Sequence, residues 1–262
     1  MHTVTDMTGR RVTLPLMPQR IVSLVPSQTE LLYALGLHER IAGQTVFCIH
    51  PQEVFKTAVK VGGTKKVKYE VIDRLNPDLI ICNKEENTLE IVEKLAMKYP
   101  VWVSDITTIE DNYSMISFIG ALTGTVAKAN EIISGIKSEF SVLKAVVQQS
   151  ALYLIWKNPY IAVASETFIN NMLPFAGYSN VLAHLKRYPE ITDKEIIELN
   201  PEVVLLSSEP FPFAEKHIAE LQQLLPDAEI KLVDGEMFSW YGSRMQLAPA
   251  YFNQLKEGST MP

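Results

Sequence analysis

The stretch LNPDLIICNKEEN, Leu75 to Asn87, returns 124 residues later as LNPEVVLLSSEPF, Leu199 to Phe211. Each copy holds Leu-Asn-Pro, an acid, a run of mostly branched apolar residues, and then a polar segment containing a glutamate, Glu85 in one and Glu209 in the other. A short apolar run bounded by turn residues reads as a buried strand. More of the chain follows the same plan. RIVSLVP (from Arg20), RIAGQTV, DLIIC and VWVSD read as strands of one half, and ALYLIW, EVVLLSS and IKLVD as strands of the other. TELLYALG, ending at Gly36, is answered by TFINNMLPFAG, LEIVEKLAMKY by EKHIAELQQLL, and Asp105 after its strand by Asp234. Four matches in one order indicate a duplicated α/β lobe.

Strands alternating with helices predict parallel sheets covered on both faces. VTDMTGRRVTL adds an N-terminal hairpin around a Thr-Gly turn. Ser27 with Glu30 and Thr192 with Glu195 have the spacing of capping boxes. Between the repeats, Val126, Ala129, Ile133, Ile136, Phe140, Leu143 and Val147 form one apolar stripe. It predicts a connecting helix over 124–148, about 36 Å long at 1.5 Å per residue. The expected organisation is an N-terminal extension (1–19), an α/β lobe (20–123), the connecting helix, and a second lobe (149–262), with a ligand cleft between two Rossmann-like lobes.

A net charge of −6 argues against non-specific nucleic-acid binding. No apolar run reaches the length of a membrane span. The first residues show no secretory leader; the chain is expected in the periplasm or at the cell surface if a leader precedes it, with the cytoplasm as the alternative. Cys48 and Cys82 are the only cysteines and make no disulfide framework.

Ligands of doubly wound sheets bind beyond the carboxyl ends of the strands. The loops at those ends offer Pro26, Ser27, Gln28, Phe47 and His50, then Lys65 in the GGTKK turn, then Trp156 and Tyr160. Phe211, Phe213 and MFSWYGSR, which carries Phe238, Trp240, Tyr241 and Arg244, complete the set. Aromatic walls with few polar groups suit a flat, partly apolar ligand, and Arg244 could meet a ligand carboxylate or phosphate. Each aromatic has packing between lobes as its alternative role. Cys48 and His50 form a C-x-H pair, with Cys82 near in the fold, which falls short of a structural zinc set; no firm metal site is read. No nucleophile elbow or triad spacing stands out, and catalysis is not expected. Glu85, Glu86 and Glu209 could be acids paired across a cleft, or carboxylates read by a pseudo-symmetric partner's arginines.

RIVSLVPSQTELLYALGL, VGGTK, LNPDLII and the mid-chain helix resemble the cobalamin and iron-chelate substrate-binding proteins of ABC importers. The resemblance spans about Asp6 to Leu255 and implies two α/β lobes joined by one rigid helix. It implies docking of Glu85 or Glu86, and of Glu209 or Glu215, onto permease arginines. It implies ligand contacts from Pro26, Ser27, Gln28, Phe47, His50, Phe238, Trp240, Tyr241 and Arg244. The cargo expected is a metal-bearing chelate, a corrinoid first and haem or a ferric siderophore next, with no cofactor required. The partners are an ABC permease and its ATPase subunits, and the protein itself is expected to be monomeric. FCIHP and NKEEN depart from the cobalamin-binding pattern, which has an aromatic after the third strand. The alternative is a cytoplasmic metal-handling protein or enzyme on the same duplicated fold.

Overall fold

The computed structural model describes residues 1–143 and 148–257. Its residues fall into two α/β units. Unit 1 comprises Met1–Ile106, Glu110–Ile136 and the short segment Tyr241–Arg244; unit 2 comprises Thr107–Ile109, Lys137–Trp240 and the chain from Met245.

In unit 1, β1 (His2–Thr5) and β2 (Arg11–Leu14) form the expected antiparallel hairpin. Its turn is held by Asp6, whose Oδ1 accepts from the amides of Thr8 (2.9 Å) and Arg10 (2.8 Å). There follow β3 (Ile21–Ser23), α1 (Pro26–Ala34), β4 (Ile41–Gln44), α2 (Gln52–Phe55), α3 (Tyr69–Leu75), β5 (Leu79–Asn83), α4 (Leu89–Ala96), β6 (Val101–Ser104), α5 (Ile109–Thr123) and α6 (Val126–Ser141). The strands form a wholly parallel sheet in the order β4-β3-β5-β6. Every residue of β5 and β6 is buried, which explains their unbroken apolar runs. The hairpin turn covers the β6 edge: Met7 N–H donates to Val103 O, and Val103 N–H donates to Asp6 Oδ2.

Unit 2 continues with β7 (Gln149–Trp156), β8 (Tyr160–Ala162), α7 (Phe168–Ala176), β9 (Tyr178–Asn180), β10 (Glu190–Ile191), α8 (Asp193–Leu199), β11 (Val203–Ser207), α9 (Glu215–Leu224), β12 (Glu229–Val233), α10 (Gly235–Ser239) and α11 (Ala248–Lys256). β7, β11 and β12 pair in parallel, as the repeat predicts. β8 and β10 add an antiparallel edge, and β9 pairs in parallel with the start of β7.

The repeated LNP-acid motif has one physical meaning in both units. α3 and α8 end at its leucine, and Asn76 and Asn200 cap them in the left-handed region, at φ 44° and 41°. Asparagine tolerates that conformation better than most residues, and proline then prevents the helix from resuming. The acid ties the new strand to its neighbour. Asp78 accepts from the amides of Gln19 and Arg20 at 2.8 Å, just before β3. Glu202 accepts from Ser150 N–H at 2.6 Å, in β7.

Three local expectations change. Ser27 and Glu30 form no capping box, because α1 begins two residues earlier, with Val25 as its cap and Pro26 in the first turn. The Thr192–Glu195 box does form. The connecting helix is described as Val126–Ser141, and the expected stretch at 144–147, Val147 included, lies outside the described residues. The division between units falls within this helix, after Ile136. α5 and α11 are helices that the sequence reading did not include.

Candidate ligand-binding loops

At the carboxyl end of the unit 1 sheet, α1 starts directly after β3 and buries Pro26, Ser27 and Gln28. The loop after β4 carries an apolar face: Phe47 is 56% exposed, with Val46 and Ile49 exposed beside it. Cys48 points the other way. Its thiol is fully buried and lies 3.1 Å from the hydroxyls of both Thr29 and Thr45. Burial holds its pKa above the ordinary thiol value, against the opposing hydrogen bonds from the two threonines. Cys82, inside β5, is pushed up by burial to about 12. Both are inert core thiols in this environment, and His50 stands half-buried at the end of the loop. Among the described residues no group of three or more His, Cys, Asp or Glu side chains is placed to hold a metal ion.

The GGTKK segment is a tight turn, as expected. Gly62 has φ 108°, and a Cβ there would come within 2.6 Å of Lys66 O. The turn presents Lys65, whose Nζ donates to the Glu85 carbonyl. Asn83, the last residue of β5, organises the acidic loop: its Oδ1 accepts from the amides of Glu85 (2.8 Å) and Glu86 (3.1 Å). Ser207 is its counterpart 124 residues on, and its Oγ accepts from Glu209 N–H at 3.4 Å. Burial raises the Glu86 pKa; Lys65 opposes that rise and Glu85 adds to it.

Segment Tyr241–Arg244 also belongs to this unit. Gln28 Nε2 lies 3.4 Å from the Tyr241 hydroxyl, and burial raises that phenol strongly, with Glu86 as the next cause. Arg244 does not act as an open cation. Its Nε and Nη2 donate to the two Glu30 carboxylate oxygens at 2.8 and 2.9 Å, and the side chain is 8% exposed.

At the carboxyl end of the unit 2 sheet, Trp156 ends β7 with 39% exposure and packs edge-on against Phe211, ring centroids 5.6 Å apart. Phe211 in turn packs on Phe213 at 4.8 Å and on His217 at 5.4 Å. Phe213 is buried in the hydrophobic core of the unit, a packing residue and not a loop-tip aromatic. Tyr160, half-buried, rests on the same core. Lys157 pairs with Glu220.

Phe238 is a correction of the same kind. It is 0% exposed and packs on Tyr153 and Phe252, so it supports the loop from beneath and offers no surface to a ligand. Trp240 is nearly buried, its indole N–H donating to Glu209 Oε1 at 2.9 Å, and Ser239 Oγ donates to the same oxygen at 2.8 Å. Glu209, expected as an outward acid, is thus turned into its own unit. Glu215, the first residue of α9, is exposed.

The periplasmic binding protein family profile matches residues 21–231. The chain belongs to that family. An ABC transporter substrate-binding lipoprotein of Bacillus subtilis, YvrC, is 28% identical over 215 residues, 78% of this chain and 68% of the relative. A vitamin B12-binding protein of Vibrio parahaemolyticus is 28% identical over 195 residues, 72% of this chain and 70% of the relative. The periplasmic heme-binding protein RhuT from Roseiflexus sp. RS-1, 20% identical, superposes with a TM-score of 0.77 over 90% of this chain and 98% of its own. At that identity the likeness concerns the fold. The family and these neighbours are substrate-binding transport proteins, not enzymes. Among the described residues no helix is long and apolar enough to cross a membrane.

Sequence reasoning missed the pairing of Glu30 with Arg244, the role of Asn112 and the inward turn of Glu209. No spacing signal links Glu30 to Arg244 across 214 positions.

Proposed function

We infer that this protein is the extracytoplasmic solute receptor of an ABC importer and that its cargo is a flat, metal-bearing chelate. A corrinoid comes first, and haem or a ferric siderophore next. The observation that carries the reading is the pair of exposed aromatics at strand carboxyl ends: Phe47 with Val46 and Ile49 in one unit, and Trp156 backed by Phe211 in the other. Exposed aromatic faces beside a few fixed polar groups suit a planar macrocycle. The polar candidates are Ser27, His50, Lys65 and Tyr241, with Tyr160 and Trp240 completing the aromatic set. The vitamin B12-binding relative supports the corrinoid assignment. The metal travels with the cargo and is not a resident cofactor.

Delivery would use one carboxylate of each unit, the half-buried Glu85 or Glu86 in the first and the exposed Glu215 in the second, read by arginines of the permease. Glu209 is engaged in hydrogen bonds within its own unit, which favours Glu215 over it for this role.

A titration of wild type and a Trp156→Phe variant with cyanocobalamin, hemin and ferrioxamine B, following tryptophan fluorescence, tests the cargo. Saturable quenching by one chelate, mostly lost in the variant, is the expected result. An absence of saturable response to all three would remove the chelate reading.

A further inference from the structure

We propose that Glu30 and Arg244 are a positioning pair that clamps the strap Tyr241–Arg244 over the first turn of α1, fixing Tyr241 at the carboxyl end of the parallel sheet without either of them touching ligand. The strap is four residues that lie far along the chain yet belong to unit 1. Three contacts seat it there. Arg244 engages Glu30 through two parallel N–H···O bonds, the planar geometry that arginine provides and lysine does not. Gly242 N–H donates to Asn112 Oδ1, a fully buried side chain of α5, at 2.7 Å. Tyr241 brings its hydroxyl to Gln28 Nε2.

The backbone itself demands the close fit. Gly242 has φ 92°, and a Cβ at this position would stand 3.2 Å from Ser27 O and 3.4 Å from Leu31 Cβ. The strap therefore packs directly on α1, over Ser27 (5% exposed) and Gln28 (0%). Gln28 carries a second sign that this spot is organised for something besides packing: its Oε1 is buried without a partner. Buried polar atoms are rarely left so. The strap held down keeps Tyr241 in one place beside this side chain. The bidentate pair is the feature that holds it there, because separating a near-buried arginine from its carboxylate is unfavourable.

The effect on ligand rests on the receptor reading above, whereas the clamp does not. Trypsin cleaves after arginine, so the Arg244–Met245 bond reports the strap directly. Wild type should resist cleavage there, and Glu30→Gln should be cut at that bond first, at a temperature where circular dichroism shows it folded. Hydrogen exchange of wild type gives the second reading: the Gly242 amide should be protected comparably to α1. Arg244→Lys and Glu30→Gln should each weaken whichever of cyanocobalamin, hemin or ferrioxamine B the wild type binds, by about tenfold or more. Resistance of Glu30→Gln at Arg244, or fast exchange at Gly242, would overturn the clamp. A freed strap with unchanged affinity would overturn the positioning role. If wild type binds none of the probes, the receptor reading fails while digestion and exchange still decide the clamp.

Discussion

Glu209 and Trp240 are joined by a hydrogen bond of 2.9 Å from the indole N–H to Oε1, and the same oxygen takes the Ser239 hydroxyl. The acid of the second repeat thus secures the aromatic loop of its own unit. Truncation to Glu209→Ala removes the carboxylate that accepts from a nearly buried indole N–H and from Ser239, a loss of about 1–3 kcal/mol. Calorimetry should show a Tm lower by about 2–4 °C for each of those kcal/mol. Glu209→Gln, which keeps an acceptor, should recover most of the loss; an alanine variant as stable as wild type would contradict the role.

Asp78 makes the repeat's acid a structural residue in unit 1. Its two backbone acceptances fasten the start of β5 to the start of β3. Asp78→Ala should cost about 1–2 kcal/mol, and Asp78→Asn less, since one oxygen acceptor survives. Urea denaturation with unchanged m-values is the check. Glu202→Ala should act in the same direction.

His217 predicts a specific acid sensitivity. Burial lowers its pKa, with the charges of Lys157 and Lys216 adding to the effect, while its Nδ1 accepts from Ala214 N–H at 2.9 Å. The folded pKa lies below the unfolded value of about 6.5, so the unfolded state binds the proton first as pH falls. The contribution of neutral His217 is therefore complete above about pH 6.5 and is lost as pH drops through the window down to its folded pKa. His217→Asn keeps an acceptor without titrating, and its Tm-against-pH curve between about pH 5 and 7 should be flatter than that of wild type. Parallel curves would refute the assignment.

Cys48 and Cys82, both 0% exposed with raised pKa values, should not react with a thiol reagent in the native protein and should react fully in guanidinium. Added zinc should leave native reactivity and stability unchanged. A fast-reacting native thiol, or zinc-dependent stabilisation, would revive the metal-site alternative.

Much of the fold was legible because the LNP-acid motif encodes backbone events: a left-handed asparagine, a proline that stops the helix, and a carboxylate for neighbouring amides. These depend on local chemistry and so show in one sequence. Trp156 and Phe211 were each legible as aromatics beyond strand ends, but their edge-on contact shows only in the structure. What stayed hidden depends on distant partners. Arg244 read as an available cation because nothing near it in sequence is Glu30, and Phe238 read like Trp240 because only the folded five-residue helix turns Phe238 onto Tyr153 and Phe252 and the Trp240 indole onto Glu209. The Ser27–Glu30 spacing fits a capping box, but Pro26 starts α1 early and frees Glu30 for Arg244. α5 escaped because its buried face carries the polar Asn112 while the apolar Phe118 lies on its exposed face, which blurs the stripe that marks a surface helix, and α11 because it is short and has a proline in its first turn.

Equilibrium dialysis of the wild-type protein against cyanocobalamin, hemin and ferrioxamine B tests the central claim most directly. The account predicts that one of these chelates is retained saturably, at about one per chain, and that Phe47→Ala and Trp156→Ala each weaken its retention. Retention of none of them above the level seen with an unrelated protein would contradict it.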